Sequence, residues 1–107
     1  MINPDAVRAQ VEGNLLQTLS RTLYEETTFD RSRVTSVDWA SYRLLRFPAV
    51  PRLDIALIDH PELPPLGAGE AASTPVPAAL ANAVFDATGV RLRSVPFAAA
   101  KVKALLA

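Results

Sequence analysis

A chain of 107 residues suits one small domain, and a composition half hydrophobic and 21% charged belongs to a folding chain and not a disordered one. Eleven basic and eleven acidic residues cancel, which removes the broad electrostatic surface that nucleic acid or anionic lipid would need. The absence of cysteine excludes disulfides, thiolate-held zinc, iron–sulfur clusters held by this chain and a cysteine nucleophile.

Asn3 is placed to cap a helix with Pro4 at its first position. Val7, Val11, Leu15, Leu19 and Leu23 recur every four residues, with Leu16 beside them, and predict a helix from about Pro4 to Tyr24. Gly13 falls inside it at a cost of about 1 kcal/mol relative to alanine. It marks either a close approach by a backbone or ligand or a tolerated flaw.

EETTFDRSRVTSVDW then holds two short β-prone pieces around Asp30, Arg31 and Ser32, a hairpin pattern, and ASYRLLRF continues extended up to Pro48. Arg52 to Asp59 alternates Leu53, Ile55 and Leu57 against Arg52, Asp54 and Ala56, the pattern of a half-buried strand. A proline-rich loop follows. Leu80, Ala83, Val84 and Ala87 predict a helix over about Pro77 to Thr88 with Gly89 as its stop. RLRSVPF is short and extended, and Ala98 to Leu106 reads as a last helix. The expected architecture is α+β: a single domain over residues 1–107 with a long N-terminal helix, a small antiparallel sheet with a hairpin, and two C-terminal helices.

No apolar run is long enough to span a membrane. MINPDAVRAQ lacks the basic-then-apolar order of a signal peptide, so the compartment defaults to the cytoplasm. The single histidine, His60, reads as a surface or turn residue, because histidine metal ligands come in clusters; no metal ligand set is expected. Glu25, Glu26 and Glu62 read as solvated charges. No Gly-x-Ser-x-Gly elbow and no P-loop lysine is present.

Gly67-Ala68-Gly69-Glu70-Ala71-Ala72 fits the dinucleotide fingerprint G-x-G-x-x-A, but its context does not. Pro64 and Pro65 separate it from the preceding strand, and Pro75 and Pro77 delay the following helix. What is left is Glu70 on a glycine turn. It reads either as a water-facing turn residue or as a general base, for which Gly67 and Gly69 allow a tight turn and leave space beside it. Leu66, Ala68, Ala71 and Ala72 would partly desolvate it.

GAGE and the later ANAVFDATGVRLRSVPF resemble the C-terminal part of the molybdopterin-binding large subunit of molybdenum hydroxylases. This is the xanthine dehydrogenase and aldehyde oxidase family, in its isoquinoline 1-oxidoreductase or nicotinate dehydrogenase form. INPDAVRAQVEGN resembles the family's Gln-x-Glu-Gly helix, and the likeness covers nearly all 107 residues. Ala71 stands where the family commonly has proline.

The resemblance implies that Glu70 is the catalytic base in oxidative hydroxylation of an aldehyde or N-heterocycle. Gln10 and Gly13 would lie along the pterin, and Gly67 and Gly69 would border the cofactor. It implies molybdopterin with molybdenum in the complete subunit and none in the isolated chain. It also implies a fragment-like C-terminal portion, inactive alone, whose partners are the remaining large subunit or an iron–sulfur subunit. Self-association into a homo-oligomer is a further expectation, since a surface made for the missing portion would be exposed. The alternative is a non-catalytic binding or assembly module that retains the fold.

Overall fold

The computed structural model describes residues 1–106, which form three helices joined by long irregular segments. Helix α1 (Pro4–Leu23) begins as its sequence dictates: the Asn3 side chain accepts the Ala6 N–H at 3.0 Å, and Asp5 sits in the first turn, where it complements the helix dipole. Helix α2 (Val76–Thr88) has Pro77 near its start and ends at Gly89, whose φ of 72° lets its N–H reach the Phe85 carbonyl at 2.7 Å. Helix α3 (Ala99–Leu106) closes the chain.

The helix expectations hold to within a residue or two at each end. The sheet does not form. Among the described residues there is no strand, only an isolated antiparallel bridge between Phe29 and Val34. The α+β class with a small antiparallel sheet is therefore corrected to a helical chain with irregular connections.

The predicted hairpin turn is present. Asp30 Oδ1 accepts the Ser32 N–H at 2.7 Å, the Ser32 hydroxyl at 2.9 Å and the Arg33 N–H at 3.0 Å, and these bonds hold its carboxyl below the usual carboxylate range. Pairing stops beyond it, and the two bridge residues Phe29 and Val34 are exposed. A turn at Asp38–Ser41 opens into ASYRLLRF, which leads into a 3-10 turn over Phe47–Ala49 instead of a strand. Arg52–Asp59 keeps its alternating burial without a partner strand. Period-two patterning reports that one face is covered; it does not report what the backbone pairs with.

Packing is organised by α1, in a way its apolar stripe does not announce. Val7, Val11, Leu15, Leu19 and Leu23 are half-buried, whereas the fully buried positions are Asn14, Thr18, Ser20 and Thr22. Asn14, Ser20 and Thr22 hold side-chain hydrogen bonds, and no fully buried side-chain nitrogen or oxygen among the described residues lacks a partner. Thr22 Oγ1 donates to the Thr18 carbonyl at 2.7 Å, the Leu45 N–H donates to Ser20 Oγ at 2.9 Å, and the Phe97 N–H donates to the Thr22 carbonyl at 2.7 Å. The buried apolar side chains are few: Val76 at the start of α2, and Leu92, Pro96 and Phe97 in the segment that follows it.

The result is open. Its radius of gyration is 17.1 Å, against about 13 Å for a compact domain of this length. Phe97 carries much of the small core, so Phe97→Ala is expected to destabilise the chain by about 3 kcal/mol, read as a lower urea midpoint by circular dichroism.

Candidate functional site

The Gly67–Glu70 loop lies on α1 and is fixed there by one side chain. The Asn14 amide uses both of its N–H groups, one on the Gln10 carbonyl at 2.5 Å and one on the Gly69 carbonyl at 2.6 Å. Its oxygen accepts the Ser73 hydroxyl at 2.5 Å. Two carbonyls on one side and a hydroxyl on the other leave a single orientation of the amide in which all three bonds form. Asn14 is buried, so the bonds are shielded from competing water.

Just beyond the loop, Ala71–Ser73 form a 3-10 turn that starts at Glu70, whose carbonyl accepts the Ser73 N–H at 3.1 Å. The turn is thus held twice at Ser73, by its own backbone and by Asn14. Glu70 is thereby held one residue from the Gly69 anchor.

Glu70 is exposed, and its carboxylate has no hydrogen-bond or ion-pair partner among the described residues. The apolar neighbours do not enclose it: Leu66 is 91% exposed, and of the others only Ala68 and Ala72 are half-buried. An open groove of 480 Å³ lies upstream, lined by Met1, Ile2, Ile58, Leu63 and Leu66 among others, and Glu70 is not one of its walls.

Gln10 is exposed on α1, and its backbone shares the Asn14 amide with Gly69, so Gln10 and the glycine loop are neighbours. Gly13, Gly67 and Gly69 are exposed, and a Cβ added at any of them would meet nothing within 4 Å. None of the three has positive φ, so within this chain they supply room and not a left-handed turn.

Several other charged groups are engaged elsewhere. His60 Nδ1 lies 2.8 Å from Glu62 Oε1 on an exposed turn. Glu25 accepts the Tyr42 hydroxyl at 2.8 Å, which pushes the phenol above its ordinary value, and Lys101 reaches Glu26 at 3.3 Å.

Asn14 is the residue that sequence reasoning did not single out. A signal for it exists: asparagine is a poor helix former, and here it follows glycine in mid-helix, so two consecutive positions work against the helix they occupy.

No family model matches the chain. Curated relatives do. A nicotinate dehydrogenase subunit of Pseudomonas putida is 46% identical over 106 residues, which is 99% of this chain but 9% of that protein. A membrane-bound aldehyde dehydrogenase of Gluconacetobacter polyoxogenes, named for pyrroloquinoline quinone, is 37% identical over 95% of this chain and 13% of its own length. The molybdenum-binding subunit of an Escherichia coli aldehyde oxidoreductase is 32% identical over 90% of this chain and 14% of its own. In crystal structures, quinoline 2-oxidoreductase of Pseudomonas putida 86 superposes on 99% of this chain and 14% of its own with a TM-score of 0.85 at 27% identity.

The chain corresponds to a small portion of a molybdenum hydroxylase large subunit. It spans only about a tenth to a seventh of the length of the relatives it matches. The Escherichia coli relative is named as a molybdenum-binding subunit, and both it and the nicotinate dehydrogenase relative are named as subunits. The pyrroloquinoline quinone in one name differs from the molybdenum in another. Among the described residues no helix is long and apolar enough to cross a membrane.

Replacing Asn14 tests the anchor. Asn14→Asp would set a carboxylate against the Gln10 and Gly69 carbonyls, while Asn14→Ala removes the bonds without adding repulsion. We expect a loss of about 1–3 kcal/mol for alanine and a larger one for aspartate at pH 7. In both variants hydrogen exchange at the Ser73 amide should accelerate.

Proposed function

We propose that the chain is the C-terminal portion of a molybdenum hydroxylase large subunit and supplies one wall of a molybdopterin site, with Glu70 as the general base. The observation that carries this reading is the Asn14 anchor. It brings the Gly-x-Gly-Glu loop onto the helix bearing Gln-x-Glu-Gly, so the two motifs separated by some fifty residues share one surface.

The residues fit a wall and not a cage. Gly13, Gly67 and Gly69 border open space where a flat cofactor and substrate would lie, and Gln10 offers an exposed side-chain amide to a pterin edge. The rest of the enclosure has to come from the remaining subunit.

Converting a C–H bond to C–OH with the oxygen of water releases two electrons and two protons, and the cofactor, when bound, takes up the electrons. Glu70 takes a proton from the attacking oxygen. A carboxylate does this well when it has no competing partner and is held in place, and both conditions are met: Glu70 has no partner among the described residues, and its loop is fastened through Gly69 and Ser73. Enclosure by the remaining subunit would add the desolvation that this chain alone does not provide. The names of the relatives support an aldehyde or an N-heterocycle as the substrate class. The isolated chain is inactive on this reading, because nothing opposite Glu70 holds a substrate.

The test is a fusion in which this chain replaces the matching segment of the Pseudomonas putida subunit, assayed by dye reduction with nicotinate. Glu70→Gln, which keeps shape and loses the basic oxygen, should reduce turnover about 10²- to 10⁴-fold with molybdenum content unchanged. Unchanged turnover would remove Glu70 from the reaction and favour a non-catalytic module. Gly13→Ala separates the two settings of its site. In the isolated chain, where a methyl meets open space, it should stabilise α1 by about 1 kcal/mol, read by thermal melting. In the fusion it should lower the retained molybdopterin, read by extraction and fluorescence.

A further inference from the structure

Arg52–Asp59 combines two features that seldom coexist. Its side chains alternate like those of an extended chain, with Leu53, Ile55 and Leu57 half-buried and Arg52, Asp54 and Ala56 exposed. Yet no main-chain N–H from Arg52 to Asp59 donates to an acceptor among the described residues. The one carbonyl in use is that of Ile55, which accepts Arg8 Nη1 at 2.9 Å and so faces α1. In an extended chain the N–H and C=O of a residue point to the same side, and those of its neighbours point to the other. Asp54 and Ala56, and Ile58 beyond them, therefore turn free backbone groups away from α1.

We infer that this outward edge is a docking strand, which pairs through main-chain hydrogen bonds with an extended segment of the large subunit lying outside these 107 residues. The inference rests on the reading that the chain works as part of such a subunit, and adds where and how the rest attaches.

Three observations select that occupant. The chain covers 14% or less of each relative, so most of the subunit lies outside it. The exposed surface is 8330 Å² for 11.5 kDa, against about 5,800 Å² for a compact monomer, and the excess of about 2,500 Å² is the size of an obligate interface. The edge also runs into apolar surface: Ile58 is 77% exposed, and the groove beside it is lined by Ile2, Leu63 and Leu66. In the relatives the matched segment and the rest are one polypeptide, which holds the rest at high effective concentration, an advantage a second copy lacks. Strand addition is the mode suited to such an edge, with backbone bonds giving affinity and alternate side chains giving register.

The experiment measures amide hydrogen exchange over residues 52–59 in this chain alone, in the chain mixed with the Pseudomonas putida subunit expressed without its matching segment, and in the fusion. The fusion needs no separate folding of the remainder. Exchange at Asp54, Ala56 and Ile58 should slow at least tenfold in the mixture and the fusion relative to the free chain. Ala56→Pro removes an outward N–H while keeping an extended backbone, and should weaken binding in the mixture at least tenfold with the helical circular dichroism of the chain unchanged. Ala56→Val keeps the N–H and should bind as the parent does.

A fusion that turns over nicotinate through Glu70 but leaves these three amides as fast as in the free chain overturns the docking strand alone. The same protection appearing in the chain by itself, rising with concentration, assigns the edge to a second copy and overturns it too. Protection in the fusion together with Glu70→Gln activity equal to the parent keeps the docking strand and overturns the catalytic reading.

Discussion

The structure depends on a polar seam along one helix. Helix α1 buries Asn14, Thr18, Ser20 and Thr22, and through them or their carbonyls it holds the glycine loop, the Leu45 segment and Phe97. Arg8 adds the Ile55 segment from an exposed position. Irregular segments cannot satisfy one another as strands do, so their backbone groups need partners supplied from a regular element. A helix with only apolar residues on its inner face could cover them but could not bond to them. With few fully buried apolar side chains, this chain relies on directed bonds for its arrangement to an extent that larger cores do not.

That dependence explains what could be read from the sequence and what could not. Local chemistry was legible: the Asn3 cap, Pro4, the Asp30 turn and Gly89 each act through neighbours a few residues away, and all stand where expected. The strand partners were not legible, because alternation at Leu53, Ile55 and Leu57 states only that one face is covered. The apolar stripe of α1 was legible as helical, but which face is most deeply buried was not. Asn14 and Thr22 bond to Gly69 and Phe97, segments far along the chain, and periodicity within the helix carries no information about those. For the site, the motifs were legible from their resemblance and Asn14 was not, since a buried asparagine looks like an exposed one until its partners are known.

Openness also has a consistent physical meaning. Phe47 at 90% exposed, Leu66 at 91%, and Ile58 and Val37 at 77% are costly in water, and none of them lies on an α-helix. The helices satisfy their own backbones and tolerate solvent; the connections carry the apolar side chains that await a surface. A chain optimised to stand alone would place those side chains inward. This one matches 9–14% of much longer proteins, and it leaves those side chains exposed.

The same division bears on the catalytic role proposed for Glu70. A base in a hydroxylation must be fixed to within fractions of an ångström, yet it must also face a space large enough for metal and substrate. These demands conflict within one small chain, since side chains packed round Glu70 to fix it would fill the space. The structure separates them. Rigidity is delivered from behind, through Asn14 to the backbone at Gly69 and to the hydroxyl of Ser73, and the front is left to glycines that add no side chain. The carboxylate is therefore positioned by the main chain on which it stands and not by contacts to its own oxygens. Such positioning leaves its basic lone pairs uncommitted, which a hydrogen-bonded carboxylate cannot offer without first breaking a bond. An anchor behind and an empty face ahead is the arrangement expected of one wall of a site whose opposite wall belongs to other residues.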